Sequence, residues 1–243
     1  MLLLIKMNSL IPKISVVMAV YNGEKYLKEA VESILSQTFS DFEFVIINDG
    51  SADNSENIIK TFDDKRIQYF PKEHSGLINS LNFGLEKARG EFIARFDSDD
   101  ISMPNRLEKQ FDFLMQNPEN VLVGTHAIKI NESGENTGEF IYPPISWKEI
   151  KKYSLRHNPF IHPTVMFRKD VLDKVGNYRN FKYAEDYELW TRLIYKYSCA
   201  NLPEKLLKYR VHSEQVTKKS NFKMRLSGLK VRCLALFRFL FTF

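Results

Sequence analysis

The stretch KISVVMAVYN, residues 13–22, is an unbroken apolar run that stops at a turn. Its length suits one strand, and its lack of polar alternation means that both faces of that strand are covered. The sequence that follows supplies the covering layers. Tyr26, Leu27, Ala30, Val31, Ile34 and Leu35 recur at helical spacing, and FEFVIIND (42–49) is a second buried strand. SADNSENIIKTF (51–62) reads as a loop and a helix, with Asp53 and Glu56 spaced as a capping box. RIQYFP (66–71) is a third strand, Leu77, Leu81, Leu85 and Ala88 mark a further helix, and EFIARFD (91–97) is a fourth strand. This alternation predicts an α/β fold: a mainly parallel central sheet flanked by helices on both faces.

Parallel sheets bind ligands at the carboxyl ends of their strands. Three of those ends are polar here: Tyr21-Asn22, Asn48-Asp49-Gly50-Ser51, and Asp97-Ser98-Asp99-Asp100. No G-x-G-x-x-G follows the first strand and no G-x-x-x-x-G-K-[ST] occurs, which disfavours a dinucleotide dehydrogenase and a P-loop NTPase. Beyond a helix around Pro104 to Met115, VLVGTHAIKI (121–130) is another strand. Residues 131–145 read as a loop or hairpin, and Trp147 to Tyr153 as a helix. HPTVMFRKDVL (162–172), AEDYELWTRLIYKY (184–197) and KLLKYRVHSEQ (205–215) read as a strand-to-helix unit, a helix, and a strand running into a loop.

The 243 residues suit one large domain or one domain with appendages, and 44% hydrophobic with 27% charged residues is the composition of a globular chain. Cys199 and Cys233 have no metal-ligand spacing and point to a reducing compartment. The net charge of +5 is concentrated at the C-terminus. No acidic residue follows Glu214, whereas Lys218, Lys219, Lys223, Arg225, Lys230, Arg232 and Arg238 do. The rest of the chain is near neutral, which argues against a nucleic-acid partner. MLLLIKM is too short to span a bilayer, as is the tail LKVRCLALFRFLFTF with its two arginines.

Each polar cluster has two readings. Two carboxylates about 4 Å apart repel by about 4 kcal/mol at an effective dielectric of about 20. Asp100 alone would suffice to cap the helix near Pro104. Asp97 and Asp99 project to one side of an extended backbone and would be relieved by a hard divalent cation. Asp49 suits an Asx-type turn, or a carboxylate facing a base or ribose. Glu185 and Asp186 open a helix, where they complement its dipole or hold a general base. His162, Arg210 and His212 suit structural hydrogen bonding. Alternatively, Arg210 and His212 alternate in YRVHS and would bind a diphosphate or its metal.

Taken together, ISVVMAVYNGEKYLKEAVESILSQTF, FEFVIINDGSADNS, ARGEFIARFDSDDISMPNRLEKQ, HPTVMFRKDVL, AEDYELWTRL and YRVHSEQ resemble the family 2 glycosyltransferases across residues 13–215. The resemblance implies the GT-A fold, with a nucleotide-binding half (13–103) and an acceptor or catalytic half (104–215). An N-terminal extension (1–12) precedes them and a basic amphipathic tail (216–243) follows. It implies a nucleotide-sugar donor, usually a UDP-sugar, with bound Mn2+ or Mg2+, in synthesis of bacterial surface polysaccharide or glycolipid. Asp97 and Asp99 match the family's D-x-D motif, with Asp99 the direct metal ligand and Asp97 facing the ribose or the metal shell. Asp49 matches the uracil-recognising aspartate. Ala19, Val20, Tyr21, Asn22, Glu24, Ser51 and Ser98 fall at the nucleotide rim, where Tyr21 would stack on the base. Asp186 matches the general base of an inverting displacement. Glu185 and His162 are assigned to donor or acceptor sugar, Arg210 to the diphosphate, and His212 to the metal.

The Q-x-x-R-W motif of processive members is absent, so transfer of a single sugar is expected. The acceptor would be a saccharide or a lipid-linked one. Leu226, Leu229, Cys233, Leu236, Phe237 and Leu240 recur at helical spacing among basic residues. This predicts a tail that lies on an anionic membrane surface or packs on the domain or a second subunit. The expected location is cytoplasmic, on the inner face of the cell membrane if the tail docks there. The competing reading is a nucleotide-sugar-binding subunit with no transfer activity of its own. It would need Asp49 and Asp99 but not Asp186.

Overall fold

The computed structural model describes residues 11–213, 215 and 221–241. Among them, nine strands form one sheet: β1 (Ile14–Val20), β2 (Phe42–Asp49), β3 (Ile67–Lys72), β4 (Phe92–Asp97), β5 (Ile101–Ser102), β6 (Asn120–Ile130), β7 (Asn136–Ile141), β8 (Met166–Arg168) and β9 (Ser198–Arg210). Their order is β3-β2-β1-β4-β8-β6-β9-β5, with β7 pairing to β6. β3, β2, β1 and β4 are mutually parallel, and β8 enters antiparallel between β4 and β6. The chain moves outward from β1 to β2 and β3, then returns to the other side of β1 as β4. The switch point therefore lies between β1 and β4, where sheets of this class open a crevice. In register, Ala19 of β1 faces Asp97 of β4, and Val20 faces Asn48 of β2.

The helices are α1 (Glu24–Leu35), α2 (Ser55–Lys60), α3 (Leu77–Lys87), α4 (Arg106–Gln116), α5 (Trp147–Tyr153), α6 (Val171–Val175), α7 (Glu185–Ile194) and α8 (Asn221–Phe241), with a 3₁₀ turn at His162–Thr164. Alternate strand residues feed two cores. Ile14, Val16, Met18 and Val20 pack with Leu27, Ala30, Val31 and Ile34 of α1. Val17, Val45 and Ile47 pack on the opposite face with Leu81 and Leu85 of α3 and Leu189, Trp190, Leu193 and Ile194 of α7. β2 is buried at every position, which is why it reads as an apolar run rather than an alternating one.

Three local expectations need correction or completion. The Asp53–Glu56 capping box does not form. Asp53 instead accepts the Glu24 and Ser55 backbone N–H groups, tying two loops together. The capping box is at α5, between Ser146 and Glu149. Asp100 caps no helix: α4 begins at Arg106, and Asp100 is buried where it accepts the Arg210 backbone N–H at 2.8 Å. Residues 131–145 contain the β7 edge of a hairpin.

α8 packs on α7, with Val231 against Ala184, Tyr187 and Phe181. Arg238 donates to Glu188 at 2.9 Å. The stripe of Leu226, Leu229, Cys233, Leu236, Phe237 and Leu240 faces solvent; the packed face is Val231 and Ala235. Among the described residues, no helix is long and apolar enough to cross a membrane. Lys218 and Lys219 lie outside the described residues.

Candidate active site

The carboxyl ends of β1 and β2 are clamped together by reciprocal hydrogen bonds. Asn22 N–H donates to Ser51 Oγ at 3.0 Å, Ala52 N–H to Asn22 Oδ1 at 2.8 Å, and Asn54 N–H to Glu24 Oε2 at 2.8 Å. Asn22 takes a left-handed backbone conformation, φ 51°, which asparagine tolerates better than most residues. Glu24, Asn22 and Ser51 thus shape the rim by holding its loops. Val20 belongs to the core and offers the rim only its backbone. Ala19 is half-buried beside Asp97. Ser98 lies against the β1 loop: a Cβ on Gly23 would come within 3.5 Å of its Oγ and 2.8 Å of Val20 Cγ2.

Asp49 closes β2 with its side chain 4% exposed and is fully engaged. It accepts from Lys72 Nζ at 2.7 Å, Ser75 N–H at 3.0 Å and Gly76 N–H at 2.9 Å, and His74 Nδ1 lies 3.0 Å away. Burial raises the carboxyl pKa, but these donors, led by Lys72, outweigh it and hold it at about 2. Asp49 therefore fixes the loop after β3. Gly50 permits that approach, since its φ is 70° and a Cβ there would sit 2.8 Å from the His74 nitrogen. The loop presents the His74 ring to Tyr21, with centroids 4.1 Å apart, and Tyr21 is half exposed. The pair forms an aromatic floor able to carry a planar base. His74 carries no motif in the sequence and is placed only by the Asp49 anchor.

At the end of β4, Asp97, Asp99 and Asp100 each offer an oxygen within 4.8 Å of the others. Arg95 Nη2 pairs with Asp97 Oδ1 at 2.6 Å. His212 Nε2 lies 2.8 Å from Asp99 Oδ2, and its ring packs on Tyr26. Among the described residues, Asp100 Oδ2 is buried without a hydrogen-bond partner. Burial, then repulsion from Asp99 and Asp97, pushes Asp100 well above the usual carboxylate range, and burial also raises Asp97. Oxygen donors crowded at this spacing, with an imidazole beside them and one orphaned oxygen, fit a divalent cation.

Arg210 does not line this opening. Its guanidinium is 2% exposed and enclosed by the Asp99, Asn131 and Glu132 carbonyls and the Glu29 carboxylate. The planar fork pins the β6–β7 turn beneath the acidic loop, so its contribution is to hold that loop rather than to meet a diphosphate directly. The hydrogen-bond partners of the Arg210 guanidinium are 78 to 181 residues away in sequence, which is why the motif could not reveal the role.

The second carboxylate pair is at the start of α7, which begins with Glu185 and Asp186. Tyr183 before them has φ 73°, a strained turn for a tyrosine that aims the helix start. Asp186 accepts from Asn158 Nδ2 at 2.6 Å and from Tyr187 N–H at 2.7 Å. Burial raises both carboxyls; Glu185, which also feels the Asp186 charge, is pushed up to about 7. His162 meets the Tyr178 hydroxyl at 2.9 Å and packs on Trp190. Burial and then the Arg95 charge hold His162 well below its usual pKa, as a neutral imidazole. Arg95 links the two walls. It is 2% exposed, and its charge acts on Asp97, Asp100, Glu185, Asp186 and His162. Its Nε and Nη1 have no hydrogen-bond partner among the described residues, and it borders a cavity of about 10 Å³ with Tyr178 and Val17.

Comparison with known proteins bears on this geometry. The family model described as "Glycosyl transferase family 2" matches residues 15–176. The chain is 40% identical over 213 residues to the O-antigen biosynthesis glycosyltransferase WbnJ of Escherichia coli, covering 84% of this chain and 82% of that protein. It is 35% identical over 214 residues to the amylovoran biosynthesis glycosyltransferase AmsE of Erwinia amylovora, covering 84% and 79%. Among solved structures, S. aureus TarS 1–349 in complex with UDP-GlcNAc superposes with a TM-score of 0.72 at 20% identity, over 95% of this chain and 73% of that one. The mannosyltransferase PcManGT of Pyrobaculum calidifontis, in complex with GDP-Man and Mn2+, gives 0.71 at 18%, over 94% and 65%. At those identities the likeness establishes the fold.

Proposed function

The chain belongs to glycosyl transferase family 2, a glycosyltransferase of GT-A fold, and from that premise we propose an inverting, metal-dependent transfer of one sugar from a UDP-sugar to a saccharide or lipid-linked acceptor. The arrangement that carries the reading is a carboxylate cluster at the end of β4 and a second carboxylate pair at the start of α7, both within reach of the Arg95 charge. Donor nucleotides held by the structural relatives include UDP, UDP-GlcNAc and GDP-Man, and the sugar-polymer roles of WbnJ and AmsE favour surface polysaccharide as the product.

In this reading the base of the donor lies on Tyr21 and His74, with Asp49 holding the loop that carries His74. Asp49, already engaged by Lys72 and by the Ser75 and Gly76 N–H groups, would serve uracil through that loop rather than by direct contact. Asp99, Asp97 and His212 would hold Mn2+ or Mg2+. Bound there, the cation supplies charge neutralisation of the departing diphosphate. Asp186 takes the proton from the acceptor hydroxyl as that oxygen attacks the anomeric carbon from the face opposite the diphosphate. Asn158 orients the Asp186 carboxylate, and Glu185 shares its titration, so the two lose protons as a pair. Neutral His162, with Tyr178, gives the sugar hydroxyls uncharged hydrogen-bonding groups.

Asp186→Asn tests the assignment. Nucleotide binding measured by calorimetry should stay within about twofold, while turnover of UDP-sugar falls by about 10²–10⁴, the usual worth of a general base. Retained turnover would move the base elsewhere.

A further inference from the structure

The face of α8 that the domain leaves uncovered is apolar and edged by basic residues. Successive residues of a helix are set about 100° apart. On that spacing Leu226, Leu229, Cys233, Leu236, Phe237, Leu240 and Phe241 fall within an arc of about 140°. All seven are exposed, and the leucines and phenylalanines among them are 47% to 67% exposed. Arg225 and Arg232 border one side of this arc, and Lys223 and Lys230 lie within its other edge, level with Phe241 and between Phe241 and Phe237. Among the described residues none of these four cations is paired with a carboxylate. Val231, Ala235 and Arg238 lie on the opposite face and attach the helix to α7.

Two observations select the occupant. An apolar arc edged by long basic side chains on both sides matches a bilayer boundary, where the stems lie along the acyl region and the cations reach the phosphates. A second copy would instead bring these cations against one another, since the helix carries no acidic residue to answer them. We propose that α8 docks the protein on anionic phospholipid, lying in the plane of the bilayer. This docking does not depend on the proposed reaction. Its consequence does: α7, which opens with Glu185 and Asp186, is bound to α8 through Tyr187 and Glu188 and would sit at a fixed height above the lipid. That arrangement suits an acceptor whose reactive sugar is carried on a lipid.

The test is sedimentation of the full chain with vesicles of phosphatidylcholine alone or with about one third phosphatidylglycerol, at low and high salt. Wild type should pellet with the anionic vesicles and be released by salt. Phe237→Ser with Leu240→Ser should weaken partitioning at least about tenfold. Arg225→Gln with Arg232→Gln should weaken it about fivefold per cation removed. Both double variants should melt as wild type does, because the changed side chains face solvent. Absence of binding to anionic vesicles, or unchanged binding by the Phe237/Leu240 variant, would overturn the proposal. So would a concentration-dependent dimer, seen by light scattering, that this variant dissolves. Hydrolysis of UDP-sugar in solution by the same variant reads the active site separately, so failure of docking and failure of the proposed reaction give different results.

Discussion

Glu185 is held in a state that costs stability, and that cost can be measured. Its carboxyl is 8% exposed and its pKa is pushed up to about 7, first by burial and then by Asp186, from an ordinary value near 4.5. A carboxyl raised in this way favours folding when protonated. Its contribution is fully present below about pH 4.5 and is lost as pH rises through about 7. Above that window the folded state carries a buried charge that the unfolded chain would hold in water. The difference of about 2.5 units corresponds to about 3 kcal/mol at pH 8.5 and less than about 1 kcal/mol at pH 5. Glu185→Gln keeps the shape and fixes the neutral form. The variant should therefore be more stable than wild type by about 3 kcal/mol at pH 8.5, a rise in melting temperature of roughly 6–12 °C for a chain of this size. At pH 5 the gain should shrink to less than about 1 kcal/mol. Unfolding followed by the fluorescence of Trp147 and Trp190, at both pH values and in the presence of EDTA, gives the comparison. A variant no more stable than wild type at pH 8.5, or equally stabilised at both pH values, would refute the assignment of an electrostatically strained carboxylate pair at the start of α7.

Three further outcomes follow from the site. Asp99→Asn should remove the dependence of UDP affinity on Mn2+ in calorimetry, since His212 and Asp97 are left without the central carboxylate; metal-dependent affinity equal to wild type would displace Asp99 from the cation. Tyr21→Ala should weaken UDP binding by roughly 5- to 100-fold, the range for loss of one base–aromatic stack, while leaving the melting temperature unchanged because the ring is half exposed. Turnover should fall as pH drops through the titration of the Glu185–Asp186 pair, because the base must be ionised; an acid limb unchanged in Asp186→Glu and Glu185→Gln would place the controlling group elsewhere.

The local pattern of the sequence carried the architecture of the first half. KISVVMAVYN, FEFVIIND and EFIARFD are β1, β2 and β4 to within two residues at either end, because strands buried on both faces must be apolar throughout. The polar residues that end them were equally legible, since chain order and the parallel rule bring Tyr21, Asp49 and Asp97 to one rim. What each carboxylate does there was decided by partners remote in sequence. Asp100, a cap by spacing, meets Arg210 across 110 residues. Arg210, a phosphate ligand by motif, is enclosed by carbonyls and Glu29. His74 and Asn158 acquire their places only through Asp49 and Asp186. The tail divides in the same way. Helical spacing identified its apolar stripe, but which stripe meets the protein was set by the surface α7 presents, and the small Val231 and Ala235 pack there while the leucines and phenylalanines stay in solvent. Periodicity reports how a segment is covered; hydrogen bonds and charge pairs across the sheet determine which polar atoms remain free to act.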